Sequence, residues 1–346
     1  MKLDVLVPNN AALAPPGFLF IETTTECNLR CKQCHMWMTQ EPAGTLTTAE
    51  KVALVEELAS WSSSATVVLT GGETMQKREE FYSIAAACRQ RGLRVAANTN
   101  ATLVEEDDVD RLLDHGPHYL VVSLDSHVRD VHDYIRGVPG TFDRVVDVLK
   151  RLTARKRARS VGSALPSGND VAICTNLIVC DLNIAALPAY VSFVRDLGVD
   201  GVMFQALGRT FLLGTPADHF FERHFPRDVD GFDQIIEELI EMRRAGAPIL
   251  TTETDLRWMK LYARSPDFIG EQVCGSHERN MMVDMRGDVQ LCFSMRGLLG
   301  GKALGNVRQS SLRALWEGEA ASRARDVMSA CRQNCGMLNC HRKAGA

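Results

Sequence analysis

Six short apolar runs constrain the fold of this chain more than any other feature. They lie at 18–23 (FLFIET), 66–70 (TVVLT), 93–98 (LRVAAN), 119–124 (YLVVSL), 171–179 (VAICTNLIV) and 201–207 (GVMFQAL). Helical signals stand between them. In TTAE, Thr47 and Glu50 form a capping box, and Val52, Val55, Leu58 and Ala59 follow at helical spacing. Helices are expected over 78–91, 105–115, 141–154 and 184–197, with Gly92, Gly116 and Gly198 stopping the first, second and last. Strands without a polar face that alternate with helices indicate parallel βα units covered on both sides. Six such units make an open partial barrel or a doubly wound sheet, and the pattern leaves both open.

The rhythm changes after about residue 208. FDQIIEELIEMRRAG at 232–246 reads as an amphipathic helix, and 274–340 is loop-rich with widely spaced cysteines. SALPSGND at 163–170 reads as a turn-rich surface loop. No run of about 18 apolar residues occurs, so no transmembrane helix is expected. The N-terminus lacks an apolar export segment, and a cytoplasmic location is expected. The formal net charge of -4 argues against a nucleic-acid partner. The most basic run, RLTARKRAR at 151–159, is read as a solvated helix end.

The 11 cysteines then need a reason. In an intracellular chain of this size they point to metal ligation or redox chemistry rather than to disulfides. Cys27, Cys31 and Cys34 form C-x3-C-x2-C directly after the first strand, and Cys274, Cys292, Cys331, Cys335 and Cys340 cluster late. Three readings of the first group compete. Zinc would need His35 as a fourth ligand, and a histidine directly after a cysteine is an awkward chelate. Chance plus core packing is improbable at this spacing. A [4Fe–4S] cluster takes one thiolate per iron, so three cysteines leave one iron open.

C-x3-C-x2-C in the loop after a first barrel strand resembles the signature of radical S-adenosylmethionine (radical SAM) enzymes. In that family SAM chelates the open iron, an electron breaks a C–S bond, and the resulting 5′-deoxyadenosyl radical takes a hydrogen atom from substrate. Later segments match in the family's order. TGGE at 70–73 resembles the motif for the SAM amino group, implying roles for Gly71, Gly72 and Glu73, although Thr74 stands where proline is frequent. SLD at 123–125 with HDYIRGVPGTFDRV at 132–145 resembles the segment after the fourth strand. It places Ser123 at the SAM carboxylate or ribose and Asp125 at ribose or substrate. Arg144, ahead of Arg136, would pair with the carboxylate. Asn98 and Asn100 of NTN would point into the barrel top, and Gln205 and Ala206 fall where the family binds adenine. Phe204, Met36 and Trp37 could add stacking.

The late segments Gly287-x4-Cys292, LGN at 304–306, SLRALW at 311–316 and CRQNCGMLNC at 331–340 resemble the auxiliary-cluster module called SPASM, or twitch in its shorter form. Five cysteines suit one auxiliary [4Fe–4S] cluster. Cys274 and Cys292, set on adjacent strands by a GDV hairpin at 287–289, would be joined by two of Cys331, Cys335 and Cys340. The resemblance implies a partial (β/α)6 TIM-like barrel over 18–230, an N-terminal extension at 1–17, a connecting helical segment at 231–273 and a SPASM/twitch domain at 274–346. It also implies an electron donor such as flavodoxin or ferredoxin.

One fold hosts many chemistries, so the substrate stays open. The leading expectation is oxidation of a small-molecule intermediate, with the auxiliary cluster accepting an electron. Alternatives are a peptide or protein maturase, an epimerase that uses Cys180 as hydrogen donor, and a non-catalytic iron–sulfur carrier. Fewer than twenty residues precede the first strand, which weighs against a built-in peptide-recognition domain. Cys88, Cys174 and Cys180 otherwise read as buried small hydrophobes.

Overall fold

A computed structural model describes residues 13–160, 171–208, 217–267, 273–293, 295, 300–331 and 341–342. Strands β1 (Phe18–Thr24), β2 (Thr66–Gly71), β3 (Arg94–Thr99), β4 (Tyr119–Ser123), β5 (Ala172–Val179) and β6 (Gly201–Ala206) lie side by side in chain order, all parallel. Helices α1 (Thr48–Trp61), α2 (Arg78–Gln90), α3 (Glu106–His115), α4 (Arg129–Arg136), α5 (Thr141–Ser160) and α6 (Leu187–Asp196) connect them. The sheet is open and runs in sequence from β6 to β1, which is the partial barrel rather than a doubly wound sheet. The SALPSGND loop lies outside the described residues.

The strands do have two faces, contrary to the apolar reading of their sequence. Leu19, Ile21, Val67, Leu69, Val95, Ala97, Leu120 and Val122 are buried in the main core. The opposite face carries Phe20, Thr70, Asn98, Ser123, Asn176 and Gln205, which are half-buried or exposed. Alternation is hidden in the sequence because the lower turns of that inner face are apolar as well. Only its upper turns, at the C-terminal strand ends, are polar.

The basic run of α5 is not simply solvated. Arg151, Arg155 and Arg159 face Glu106, Asp110 and Asp114 of α3, with Arg151–Glu106 at 3.0 Å and Arg159–Asp114 at 2.6 Å. Both rows repeat every four residues, so two antagonistic charge stripes meet where the helices pack. Helices α7 (Ala217–His224), α8 (Val229–Arg244) and α9 (Glu253–Arg264) follow β6. Helix α8 starts earlier than its apolar pattern suggests because Asp228 caps it, accepting from Gly231 N–H at 3.0 Å.

The C-terminal part contains β7 (Val273–Cys274), α10 (Ser276–Arg279), β8 (Asn280–Val283), β9 (Val289–Gln290), α11 (Leu312–Glu317), α12 (Glu319–Ser329) and β10 (His341–Arg342). Strand β8 continues the barrel sheet beyond its first strand, pairing parallel with β1 from Phe18↔Asn280 to Ile21↔Val283. The turn at Gly287 joins β8 to β9 as a hairpin. Cys274 is not on that hairpin. It sits on β7, opposite His341 in a separate two-stranded sheet, whereas Cys292 follows β9. The hairpin's partner strand is the buried NMMV run, because those four residues must complete the hydrogen-bonding edge of β1. The fully buried Trp316 of α11 anchors the module, with Nε1 donating to Ala14 O at 3.0 Å. Burial of a side chain this large contributes roughly 2–3 kcal/mol. Among the described residues no helix is long and apolar enough to cross a membrane.

Candidate functional site

The cysteine triad occupies the loop that leaves β1, and two backbone docks hold that loop. The first is the end of β2. Gly72 N–H donates to Thr24 O at 2.6 Å and Glu73 N–H to Glu26 O at 2.8 Å. A Cβ on Gly72 would lie 2.1 Å from Glu26 O, so the contact requires glycine. Gly71 ends β2 at φ +131° against Thr24. These glycines bring β2 against the chain's own cysteine loop. The second dock is the C-terminus of α4, where Arg30 N–H donates to Arg136 O and Lys32 N–H to Ile135 O. Gly137 follows in the left-handed conformation (φ +71°), and a Cβ there would meet Arg30 O at 2.0 Å.

Every sulfur of the triad has an N–H donor. Leu29 N–H reaches Cys27 Sγ at 3.5 Å and Met36 N–H reaches Cys34 Sγ at 3.4 Å. Arg136 Nη1 lies 3.8 Å from Cys31 Sγ, and Asn100 Nδ2 lies 3.8 Å from Cys27 Sγ. Burial pushes all three thiols above their ordinary range, Cys27 to about 11. Such thiols are protonated at neutral pH unless a cation replaces the proton, and the N–H donors are arranged for the thiolate form. Among the described residues no three His, Cys, Asp or Glu side chains converge on a single metal position.

Glu73 is 1 % exposed, and its carboxylate accepts from Thr99 Oγ1 (2.6 Å), Asn100 N–H (2.6 Å) and Met75 N–H (3.0 Å). Burial still raises its pKa against those three donors. The carboxylate therefore ties the end of β3 to the end of β2. Asn100 is buried beside Cys27, whereas the Asn98 side chain is exposed and its carbonyl accepts from Thr74 Oγ1 at 2.9 Å.

Asp125 is fully buried. It pairs with Arg136 Nε at 2.7 Å and accepts from Ile178 N–H at 3.1 Å. Burial works against the Arg136 charge, but Asp125 and Cys31 hold its pKa above the ordinary arginine range. Burial, reinforced by Arg136, pushes His132 down to about 4, and its Nδ1 accepts from Asp125 N–H at 3.1 Å. Arg144 lies elsewhere. Its guanidinium binds Thr102 O, Val104 O and Glu105 Oε1, while Arg136 reaches the cysteines. Sequence reasoning put Arg144 ahead of Arg136 for the SAM carboxylate and did not foresee helix α4, whose end aims Arg136 towards Cys31.

Ser123 ends β4 opposite Asn176 of β5, and Asn176 Nδ2 lies 3.4 Å from Gln205 Oε1. Ser123, Asn176 and Gln205 thus make a polar row across three strands, with buried Ala206 beside it. Asn176 was overlooked because TNLIV reads as plain strand. Cys180 packs with Ile135, Leu207, Phe220 and Phe221, and burial pushes its thiol up to about 12. Beside it His224 binds Asp181 through Nδ1 at 2.8 Å and faces Tyr134 Oη through Nε2 at 3.4 Å.

Among the late cysteines, Cys274, Cys292 and Cys331 are half-buried, and Cys292 packs against the barrel core. Cys335 and Cys340 lie outside the described residues.

Comparison with known proteins agrees with this arrangement. Residues 21–166 match the Radical SAM superfamily, and residues 274–341 match the SPASM iron–sulfur cluster-binding domain. The chain belongs to the radical SAM superfamily and carries a C-terminal SPASM module. Its cofactors are accordingly a [4Fe–4S] cluster, SAM and an auxiliary iron–sulfur cluster. The AdoMet-dependent heme synthase of Methanosarcina barkeri is 36% identical over 140 residues, covering 39% of this chain and 40% of that protein. The tungsten-containing aldehyde ferredoxin oxidoreductase cofactor-modifying protein of Pyrococcus furiosus is 22% identical over 321 residues, covering 87% and 81%. The matches to the first curated relatives span 30% to 40% of those proteins' own length. The crystal structure of Streptococcus suis SuiB bound to S-adenosylmethionine superposes with a TM-score of 0.68 at 13% identity, over 94% of this chain and 73% of that one. At that identity the likeness is one of fold.

Proposed function

We propose that this protein is a SAM-dependent oxidase of a small-molecule biosynthetic intermediate, with Cys27, Cys31 and Cys34 holding the SAM-binding cluster. Cys274 and Cys292, with two of Cys331, Cys335 and Cys340, would hold a second one. When bound, the first cluster and SAM supply hydrogen-atom abstraction, and the second cluster supplies an acceptor for the electron left on substrate. The carrying observation is the pairing of β8 with β1. The strand that delivers the cysteine triad is built into the same sheet as the module that delivers Cys292. Phe293 packs edge-on against Phe20 of β1, with ring centroids 5.4 Å apart. An electron acceptor fixed to the radical site suits oxidation better than a redox-neutral reaction.

Arg136 and the row Ser123, Asn176 and Gln205 are the polar groups that would orient SAM. A guanidinium suits its carboxylate, and strand C-termini are where ligands sit in such folds. Oxidation of an alcohol or amine carbon also releases a proton. His224, set by Asp181 and facing Tyr134, offers an acceptor beyond β5. The heme synthase among the relatives supports a small-molecule substrate.

The test is anaerobic reconstitution of the wild type and of Cys27→Ala/Cys31→Ala/Cys34→Ala, with iron and sulfide counted and dithionite and SAM added. About eight irons falling to about four, with 5′-deoxyadenosine made only by the wild type, is expected for one radical and one auxiliary cluster. About four irons falling to none would remove the electron acceptor and the oxidation reading with it. For the substrate step, oxidation gives a product two hydrogens lighter, whereas epimerisation gives equal mass with solvent deuterium incorporated.

A further inference from the structure

We propose that Asn100 is a positioning residue for the cysteine-triad cluster: its carboxamide donates to the Cys27 sulfur and raises the reduction potential of the iron–sulfur group held there. The inference rests on the reading of Cys27, Cys31 and Cys34 as ligands and adds a role for a residue outside that set.

The orientation of the amide is fixed by its other bonds. Asn100 Oδ1 accepts from Thr102 N–H at 2.9 Å and from Thr102 Oγ1 at 2.7 Å. A backbone N–H can only donate, so the oxygen must face Thr102 and the NH2 must face the other way. That NH2 lies 3.0 Å from Asn28 Oδ1 and 3.8 Å from Cys27 Sγ. Asn28 Nδ2 in turn donates to Thr102 Oγ1 at 2.7 Å. Asn28, Thr102 and Asn100 thus form a closed ring of three side-chain hydrogen bonds. The ring leaves one Asn100 N–H for the sulfur.

The backbone is set to the same end. Glu73 holds Asn100 N–H at 2.6 Å, and Ala101 is the one non-glycine described residue with positive φ, at +60°. A buried alanine in that conformation is held by its surroundings, here by Thr99 Oγ1 accepting from Ala101 N–H at 2.9 Å. The kink turns the chain so that Asn100 and Thr102 face each other across Ala101.

A hydrogen bond to a thiolate ligand draws charge from the sulfur. It favours the reduced cluster, which carries one more electron, over the oxidised one. Cys31 has a different neighbour, the Arg136 guanidinium, whose charge Asp125 offsets at 2.7 Å. Asn100 is therefore the neutral side-chain donor at the triad that can be changed without leaving a buried ion unpaired.

The experiment is a potentiometric titration of the anaerobically reconstituted full-length protein, followed by electron paramagnetic resonance. The reduced-cluster signal that Cys27→Ala removes is the one measured. Asn100→Asp keeps size and the acceptor for Thr102 but replaces the donor with an oxygen. Its midpoint is expected to shift to more negative potential at wild-type iron content. Asn100→Leu removes the donor without adding a charge, and a shift in the same direction at wild-type iron content is expected. A wild-type midpoint in Asn100→Asp at full iron content would overturn the proposal. Should Asn100→Asp fail to hold iron, Asn100→Leu decides alone, and an unmoved midpoint there overturns it. If the wild type shows no iron that Cys27→Ala removes, the cluster reading itself falls, an outcome distinct from an unshifted potential.

Discussion

The Arg308 guanidinium grips the Glu50 carboxylate through two bonds of 2.6 and 3.0 Å, joining residues 258 apart in sequence. Glu50 is also the acceptor of the α1 capping box, taking Thr47 N–H at 2.8 Å. Arg308 reaches Gly44 O and Thr45 O as well, and Leu46 N–H donates to Met285 O at 2.7 Å. The start of the first barrel helix is thus the landing point of the C-terminal module. Arg308→Ala should raise amide hydrogen exchange in peptides covering 44–50 and 285–308, while α6 and α8 keep their protection. Unchanged exchange at 44–50 would show that the strand pairing alone holds the module.

The same pair predicts a pH dependence. The hydrogen bond from Arg308, with help from Thr47, lowers the Glu50 pKa from 4.5 to about 2. A depressed carboxylate stabilises the fold fully above its unfolded pKa and loses that contribution as pH falls through the folded one. The stability difference between wild type and Glu50→Gln should be constant above about pH 4.5 and shrink towards zero near pH 2. Thermal midpoints of both proteins across that window check this. A difference that grows on acidification would contradict it.

Lys51 and Arg155 separate buried from surface charge pairs. Lys51 is 2 % exposed, donates to Thr23 O at 2.9 Å and pairs with Glu80 at 2.6 Å. Lys51→Met strands the Glu80 carboxylate and should cost about 3–5 kcal/mol. Arg155→Ala removes one rung of the solvent-facing α3–α5 ladder and should cost less than about 1 kcal/mol, vanishing in high salt. Urea titrations of both variants measure the contrast, and similar costs would refute it.

Gly72→Ala forces a Cβ into the Glu26 carbonyl, so the cysteine loop must leave the end of β2. Strain of this kind costs about 1–3 kcal/mol. The variant should lose reconstituted iron from the triad more than from the late cysteines. Full iron at the triad would mean that the α4 dock alone suffices.

Cys180→Ala offers a functional contrast. In its apolar cluster with Phe220 and Phe221 the thiol acts as a small hydrophobe, and truncation should cost about 1 kcal/mol and leave substrate turnover intact. Loss of turnover with unchanged 5′-deoxyadenosine formation would favour an epimerase using this thiol.

What the sequence determined by itself is local in origin. The six strands and helices α1, α2, α3 and α6 follow from apolar periodicity, the Thr47–Glu50 box and stop glycines and appear close to where they are expected, whereas α5 runs six residues further and α4 was not foreseen. The triad was legible because its three cysteines lie within eight residues, a spacing that chemistry constrains more tightly than folding does. Tertiary structure alone decided what depends on distant backbone. The choice of Arg136 over Arg144 for the Cys31 neighbourhood depends on α4 docking against residues 30–32 and on the left-handed turn at Gly137. The polar inner face depends on barrel curvature, which separates two sides of strands that both look apolar. The seat of β8 on β1 could not be read at all. NMMV carries no alternation, and its partner lies some 260 residues away, so only the unsatisfied edge of β1 explains why that run is buried there.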